Sequence, residues 1–117
     1  MEFYDQNGEA KCYSPDGEHL YTWDGNPVAY FSDSKVYSFS GKLLGWFENG
    51  WLYDRGNNPA LFMPEASGGP MRPMRQMPRM KSMRRMRPMK SLRSMAHMRP
   101  MRSNHWSPFI GTRYFDQ

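Results

Sequence analysis

Apolar and polar positions alternate over the first 65 residues, and the alternation itself repeats. Four tyrosines, Tyr4, Tyr21, Tyr37 and Tyr53, stand 16 or 17 residues apart, each preceded by an apolar residue (Phe3, Leu20, Val36, Leu52). Nine residues after each tyrosine comes a second aromatic: Tyr13, Tyr30, Trp46 and Phe62. Between the two aromatics of every unit lies a turn dipeptide: Asn7-Gly8, Asp24-Gly25, Ser40-Gly41 and Gly56-Asn57. Such pairs suit the positive φ angles of two-residue hairpin turns, and the aromatic and β-branched residues around them suit pleated, half-buried strands. Further turn signals, Asp16-Gly17, Asp33-Ser34 and Asn49-Gly50, join the units. The pattern predicts an all-β body over residues 1–65, with eight short strands in four pseudo-symmetric β-hairpins around a common axis. One hairpin alone is marginal, whereas four can share a core and shield one another's edges. So small a core needs help, which is expected from the C-terminus or from a partner subunit.

The hydrophobic period then changes from two to three. From residue 71 to residue 101 an apolar side chain falls at every third position: Met71, Met74, Met77, Met80, Met83, Met86, Met89, Leu92, Met95, Met98 and Met101. On an α-helix this spacing would spiral around the axis and form no face. Pro73, Pro78, Pro88 and Pro100 also break a continuous helix. Polyproline II has three residues per turn, so there the stripe becomes one edge of a three-sided rod. The following residue in each triplet is Lys or Arg at nine of eleven positions, Pro78 and Ala96 being the exceptions, which makes a second, cationic edge. The third edge, from Pro73 and Gln76 through His97 to Ser103, is mixed. Residues 66–104 are therefore expected to form an extended, polyproline-II-like basic arm; the alternative is a solvated low-complexity linker. A straight arm of about 95 Å would overshoot a body whose radius of gyration is about 11 Å. It must bend, with the proline-free stretch 89–99 free to bend or to coil into a short helix, or else reach a neighbouring subunit.

Residues 105–117 restore aromatic density. Ser107 and Pro108 suit the N-cap and first position of a short helix, with Phe109, Ile110 and Tyr114 on one face. Trp106, Phe109 and Phe115 are the expected anchors onto the β body.

Charge divides the chain in the same places. Residues 1–65 carry ten acids and four bases, and residues 66–104 carry eleven bases and no acid. Those bases are Arg72, Arg75, Arg79, Lys81, Arg84, Arg85, Arg87, Lys90, Arg93, Arg99 and Arg102. Cys12 is the only cysteine, so no intrachain disulfide forms. No apolar run approaches a membrane span and no signal-like N-terminus is present, so the expected location is cytoplasmic.

The stretches "FYDQNG", "LYTWDGNPVAYF", "VYSFSGKLLGWFENGWLYDRGNNPALF" and "HWSPF" resemble the bacterial 4-fold beta flower protein family, "YSFSGKLLGWFENGWLYD" being the most specific. The resemblance covers nearly the whole chain. It implies the four-hairpin fold, and an Arg- and Pro-rich arm of period three before a C-terminal tryptophan segment, with alanine more usual where this chain has methionine. It implies no catalytic residues.

The expected function is a non-enzymatic binding or assembly module. Its cationic arm would dock on an acidic surface, either its own body or a sister subunit in a homo-oligomer. One alternative is nucleic acid or another polyanion, held by the eleven arm cations through counterion release. A second is a carbohydrate or choline-type ligand on the aromatic repeats, since "GWFENGWLYD" also resembles bacterial wall-binding repeats and such sites use cation–π contact. Thioethers suit Cu(I), but cationic neighbours and a spacing of about 9 Å along the rod oppose a metal site. No cofactor is expected, and most acids sit in or beside turns, where they have a conformational role.

Overall fold

A computed structural model describes residues 1–95 and 98–117; the expectations for Ala96 and His97 lie outside the described residues. Eight strands run in chain order: β1 (Glu2–Tyr4), β2 (Ala10–Tyr13), β3 (His19–Thr22), β4 (Pro27–Ser32), β5 (Lys35–Tyr37), β6 (Leu43–Glu48), β7 (Trp51–Tyr53) and β8 (Pro59–Phe62). Each pairs antiparallel with the next, and β8 pairs with β1 through Tyr4↔Phe62, closing a barrel. Closure leaves no unpaired sheet edge. The barrel is the four-hairpin, all-β body that the repeat predicts.

The interior follows from the residue before each tyrosine. Phe3 faces Cys12, Leu20 faces Ala29, Val36 faces Gly45 and Leu52 faces Leu61. In every pair the register shifts at the next residue, so Lys11, Val28, Leu44 and Ala60 are bulged at equivalent places. A bulge bends its strand and increases the local twist, and four of them let very short strands curl into a closed ring. Phe31, Phe47 and Met63 pack against the same core.

The two kinds of turn are distributed differently from the expectation. Inside each unit the loop is longer than two residues. The amides of Gly8, Gly25, Gly41 and Asn57 donate to the carbonyls of Asp5, Thr22, Ser38 and Asp54, at 2.8–2.9 Å. The side chains of those four acceptor residues also receive the amides of Glu9, Asn26, Lys42 and Asn58. The two-residue turns lie between units, at Asp33-Ser34 and Asn49-Gly50, where all four residues have positive φ. Such a turn matches the strand twist without a longer loop.

The C-terminal segment closes the barrel at the end carrying the intra-unit loops. Its 3₁₀ helix spans Gly111–Asp116 and begins after Ile110, so Ser107 does not cap it. Ser107 instead bonds the Asp54 carboxylate and accepts the Phe109 amide. Phe109 and Ile110 are exposed, whereas Tyr114 is fully buried in the barrel core and donates its hydroxyl to the Tyr53 carbonyl at 2.8 Å. Gly45 makes room for it: a Cβ there would lie 1.7 Å from the Tyr53 oxygen and 2.7 Å from the Tyr114 hydroxyl. Among the described residues no helix is long and apolar enough to cross a membrane.

Candidate functional site: the belt and its outward edge

Among its described residues, the arm is neither helix nor strand, and 89–95 with 98–99 form no helical turn. It has no ladder of its own, so its backbone polar groups need outside partners. They find them on the body. The amides of Gln76, Arg85, Ser94 and Ser103 donate to the carbonyls of Gly8, Gly25, Gly41 and Asn57, at 2.8, 2.9, 2.8 and 3.1 Å. Those acceptors are the equivalent turn residues of units one to four. The donors are nine residues apart. Three turns of the arm therefore match one unit of the body.

Other contacts keep the same register. Ser82 and Ser91 donate their amides to the Trp23 and Phe39 carbonyls. The Trp23 indole donates to the Arg79 carbonyl at 2.7 Å, and the Asn57 side-chain Nδ2 donates to the Pro100 carbonyl at 2.7 Å. The approach is so close that a Cβ on Gly8, Gly25 or Gly41 would lie 2.1 Å from the carbonyl oxygens of Met74, Met83 and Leu92, again nine apart. The 27 steps from Gln76 to Ser103 pass three quarters of the ring. At about 3.1 Å per step that arc implies a circle of radius about 18 Å, and the chain measures 37 × 37 × 21 Å. The arm is thus the rim of a flat disc.

The three edges divide the work. The mixed edge, holding Gln76, Arg79, Ser82, Arg85, Ser91, Ser94, Pro100 and Ser103, makes the main-chain bonds. The cationic edge lies over aromatic pairs formed where neighbouring units meet: Tyr13 with Tyr21, Tyr30 with Tyr37, Trp46 with Tyr53, and Phe62 with Tyr4. Arg75, Arg84, Arg93 and Arg102 sit 5.0–5.8 Å from the centroids of Tyr4, Tyr21, Tyr37 and Tyr53. Lys81, Lys90 and Arg99 cover Tyr13, Tyr30 and Trp46. These are cation–π distances.

Ion pairs reinforce them. Lys81 meets Glu2 at 2.6 Å, Lys90 meets Glu18 at 2.8 Å, Arg79 meets Asp24 at 2.7 Å, and Arg99 and Arg102 both reach Glu48. Arg87 donates to the Tyr21 hydroxyl at 3.0 Å. The Lys90 bond, followed by the charges of His19 and Lys90, lowers the Glu18 pKa. Burial lowers that of Arg99 and raises that of Tyr53. Arg72 and Arg85 have no side-chain partner among the described residues.

The methionine edge is the one left over. Every stripe residue from Met71 to Met101, Leu92 included, is 89–96% exposed. The apolar edge of the rod faces away from the body within this chain. Of the three expected anchors, Trp106 packs on Trp51 and Phe62 (centroids 5.5 and 6.2 Å), and Phe115 packs on the core. Phe109 does not anchor; Tyr114 does, because the helix begins later than its cap signal suggested.

The profile of the 4-fold beta flower protein family matches residues 1–115. The chain belongs to that family. No curated protein and no solved structure matches it. Within this beta flower protein, sequence reasoning missed the mixed edge as the docking edge. A signal was present on that edge, since serine recurs there nine residues apart, at Ser82 and Ser91 and at Ser94 and Ser103.

Proposed function

We propose that this beta flower protein is a non-enzymatic assembly module. Its cationic arm docks on its own acidic, aromatic body as a belt, and its outward methionine edge meets the same edge of a second copy. The carrying observation is the bare rim: eleven apolar side chains, each 89–96% exposed. Exposed apolar surface on this scale marks interaction surfaces, and methionine adapts to irregular partners. Leu92 takes one of the eleven stripe positions, which favours apolar bulk over sulfur chemistry as the property in use. Teeth about 9 Å apart leave room for a second comb between them.

Nine of the eleven arm cations already have partners on the body. That weighs against a belt built as a general polyanion binder. The same cations cover the aromatic pairs, which weighs against an aromatic ligand cradle. Asp5, Asp16 and Asp54 are engaged by the amides of their own loops, and burial pushes the Cys12 thiol well above its ordinary range, which supports a non-catalytic reading.

Sedimentation velocity over a concentration series tests the proposal. Wild type should associate reversibly, and the Met80→Ser/Met83→Ser/Met86→Ser variant should shift towards monomer, with no change in melting temperature at concentrations where both proteins are monomeric. Monomers at every concentration in both proteins would exclude self-association through the rim.

A further inference from the structure

The nine-residue register makes departures from it informative. The position of Arg84 is arginine in all four segments (Arg75, Arg84, Arg93, Arg102), each over a tyrosine, so it serves docking. The next position is Gln76, Ser94 or Ser103 elsewhere, but Arg85 at the second unit. Three residues after Arg84 comes Arg87, where the first segment has Pro78 and the third has Ala96 in the sequence. The second unit therefore carries two guanidiniums that the belt does without elsewhere. Arg85 docks through its main-chain amide alone, and its side chain has no partner among the described residues.

These extra groups converge. Arg84, Arg85 and Arg87, with Tyr21, Met86 and Pro88, line an open recess of about 540 Å³, within the range of small-ligand sites. The Tyr21 hydroxyl fixes Arg87. The acids whose charge reaches Arg87 are Asp16 and Glu18. Both are engaged elsewhere, Asp16 with His19 at 2.7 Å and Glu18 with Lys90 at 2.8 Å. Three guanidiniums with no carboxylate among the lining residues suit a ligand that offers several anionic oxygens at once. A terminal phosphate does so, and arginine binds it with paired N–H donors.

We propose that the recess formed by Arg84, Arg85 and Arg87 over Tyr21 is a binding site for the terminal phosphate group of a small molecule. Isothermal titration of the full chain with inorganic pyrophosphate at low salt tests this. Wild type should bind one equivalent. Arg85→Ser, which installs the residue found at the equivalent places, should weaken binding by about tenfold or more and leave the fold intact. Arg72→Ser, an equal loss of charge elsewhere on the arm, should leave binding unchanged. Absence of binding, or equal weakening by the two variants, would overturn the site. A short oligothymidylate without terminal phosphates separates the sources. Tighter binding of it than of pyrophosphate, lost in Arg85→Ser, would overturn the terminal-phosphate assignment.

Discussion

The body and the belt are held in opposite ways. The barrel satisfies its own main chain through eight mutual strand pairings and fills its interior with its own side chains and with Tyr114 of the C-terminal segment. The belt does neither. Its amides bond to the turns, its cations lie on the body's tyrosines, and its apolar side chains are almost fully exposed. Extended chain without internal hydrogen bonds holds its course only by what it lies on. The comparison teaches that apolar side chains are not always the buried ones. Here serine, glutamine and arginine hold the segment, and methionine is presented.

The largest break in this comparison is expected at the core. Tyr114→Ala removes a fully buried aromatic and its bond to Tyr53, and should cost about 3–5 kcal/mol in chemical denaturation. Tyr114→Phe keeps the ring but strands the Tyr53 carbonyl, for about 1–3 kcal/mol. A smaller cost in the first variant than in the second would show that the helix cap is not part of the core.

Next comes the seam between belt and body. Gly25 has φ +88°, and a Cβ would lie 2.1 Å from the Met83 carbonyl oxygen. Gly25→Val should lift the belt at the second unit while the barrel stays closed. Hydrogen exchange should speed up at Ser82 and Arg85, whose amides bond Trp23 and Gly25, more than in β3 or β4. Uniform loss of protection throughout the molecule would mean that belt and barrel unfold as one unit. Trp23→Phe, which removes the indole donor to Arg79, should do the same more mildly, at about 1 kcal/mol.

Acid acts on the loop that joins the first two units. Burial pushes the Asp16 carboxyl up, but bonds from the His19 ring and from the His19 and Glu18 amides outweigh it and hold its pKa well below the ordinary range. Glu18 is lowered too, first by its Lys90 bond. Because both folded-state pKa values are depressed, their stabilisation is present above the ordinary carboxylate pKa of about 4. It is lost as pH falls below that value towards the folded pKa values. Melting temperature should therefore fall from pH 5 to pH 3, with a shallower slope in Asp16→Asn. An unchanged slope would assign acid sensitivity to other carboxylates.

The smallest effect is expected where the belt is most conspicuous. Met80→Ser, Met83→Ser and Met86→Ser remove side chains that are more than nine-tenths exposed, and each should change stability by no more than about 0.5 kcal/mol. A larger loss, measured below the concentration at which the protein associates, would mean that the rim contributes to the monomer's fold.

Much of the body was legible in the sequence, for a physical reason. An antiparallel meander pairs neighbours in the chain, so the Tyr-to-Tyr repeat, the apolar residue before each tyrosine and the turn residues report directly on strands and core. The turn chemistry was misassigned because Asp-Gly and Ser-Gly pairs serve a left-handed residue after a longer loop as well as a two-residue turn. In the C-terminal segment, Ser107 and Pro108 read as a helix start. Asp54, distant in sequence, instead claims the Ser107 hydroxyl, and the helix waits until Gly111.

By itself the sequence determined the four-unit β body, the three-residue period of the arm and the division of charge between them, because each is a local pattern. Only the tertiary structure decided which edge of the arm faces inward. That choice depends on a match between two unrelated spacings, nine residues of extended arm and sixteen or seventeen of folded hairpin, which span the same arc only after the barrel has closed. It also depends on what waits at the surface: carbonyls for the mixed edge and aromatic faces for the cations, which leaves the methionines facing outward.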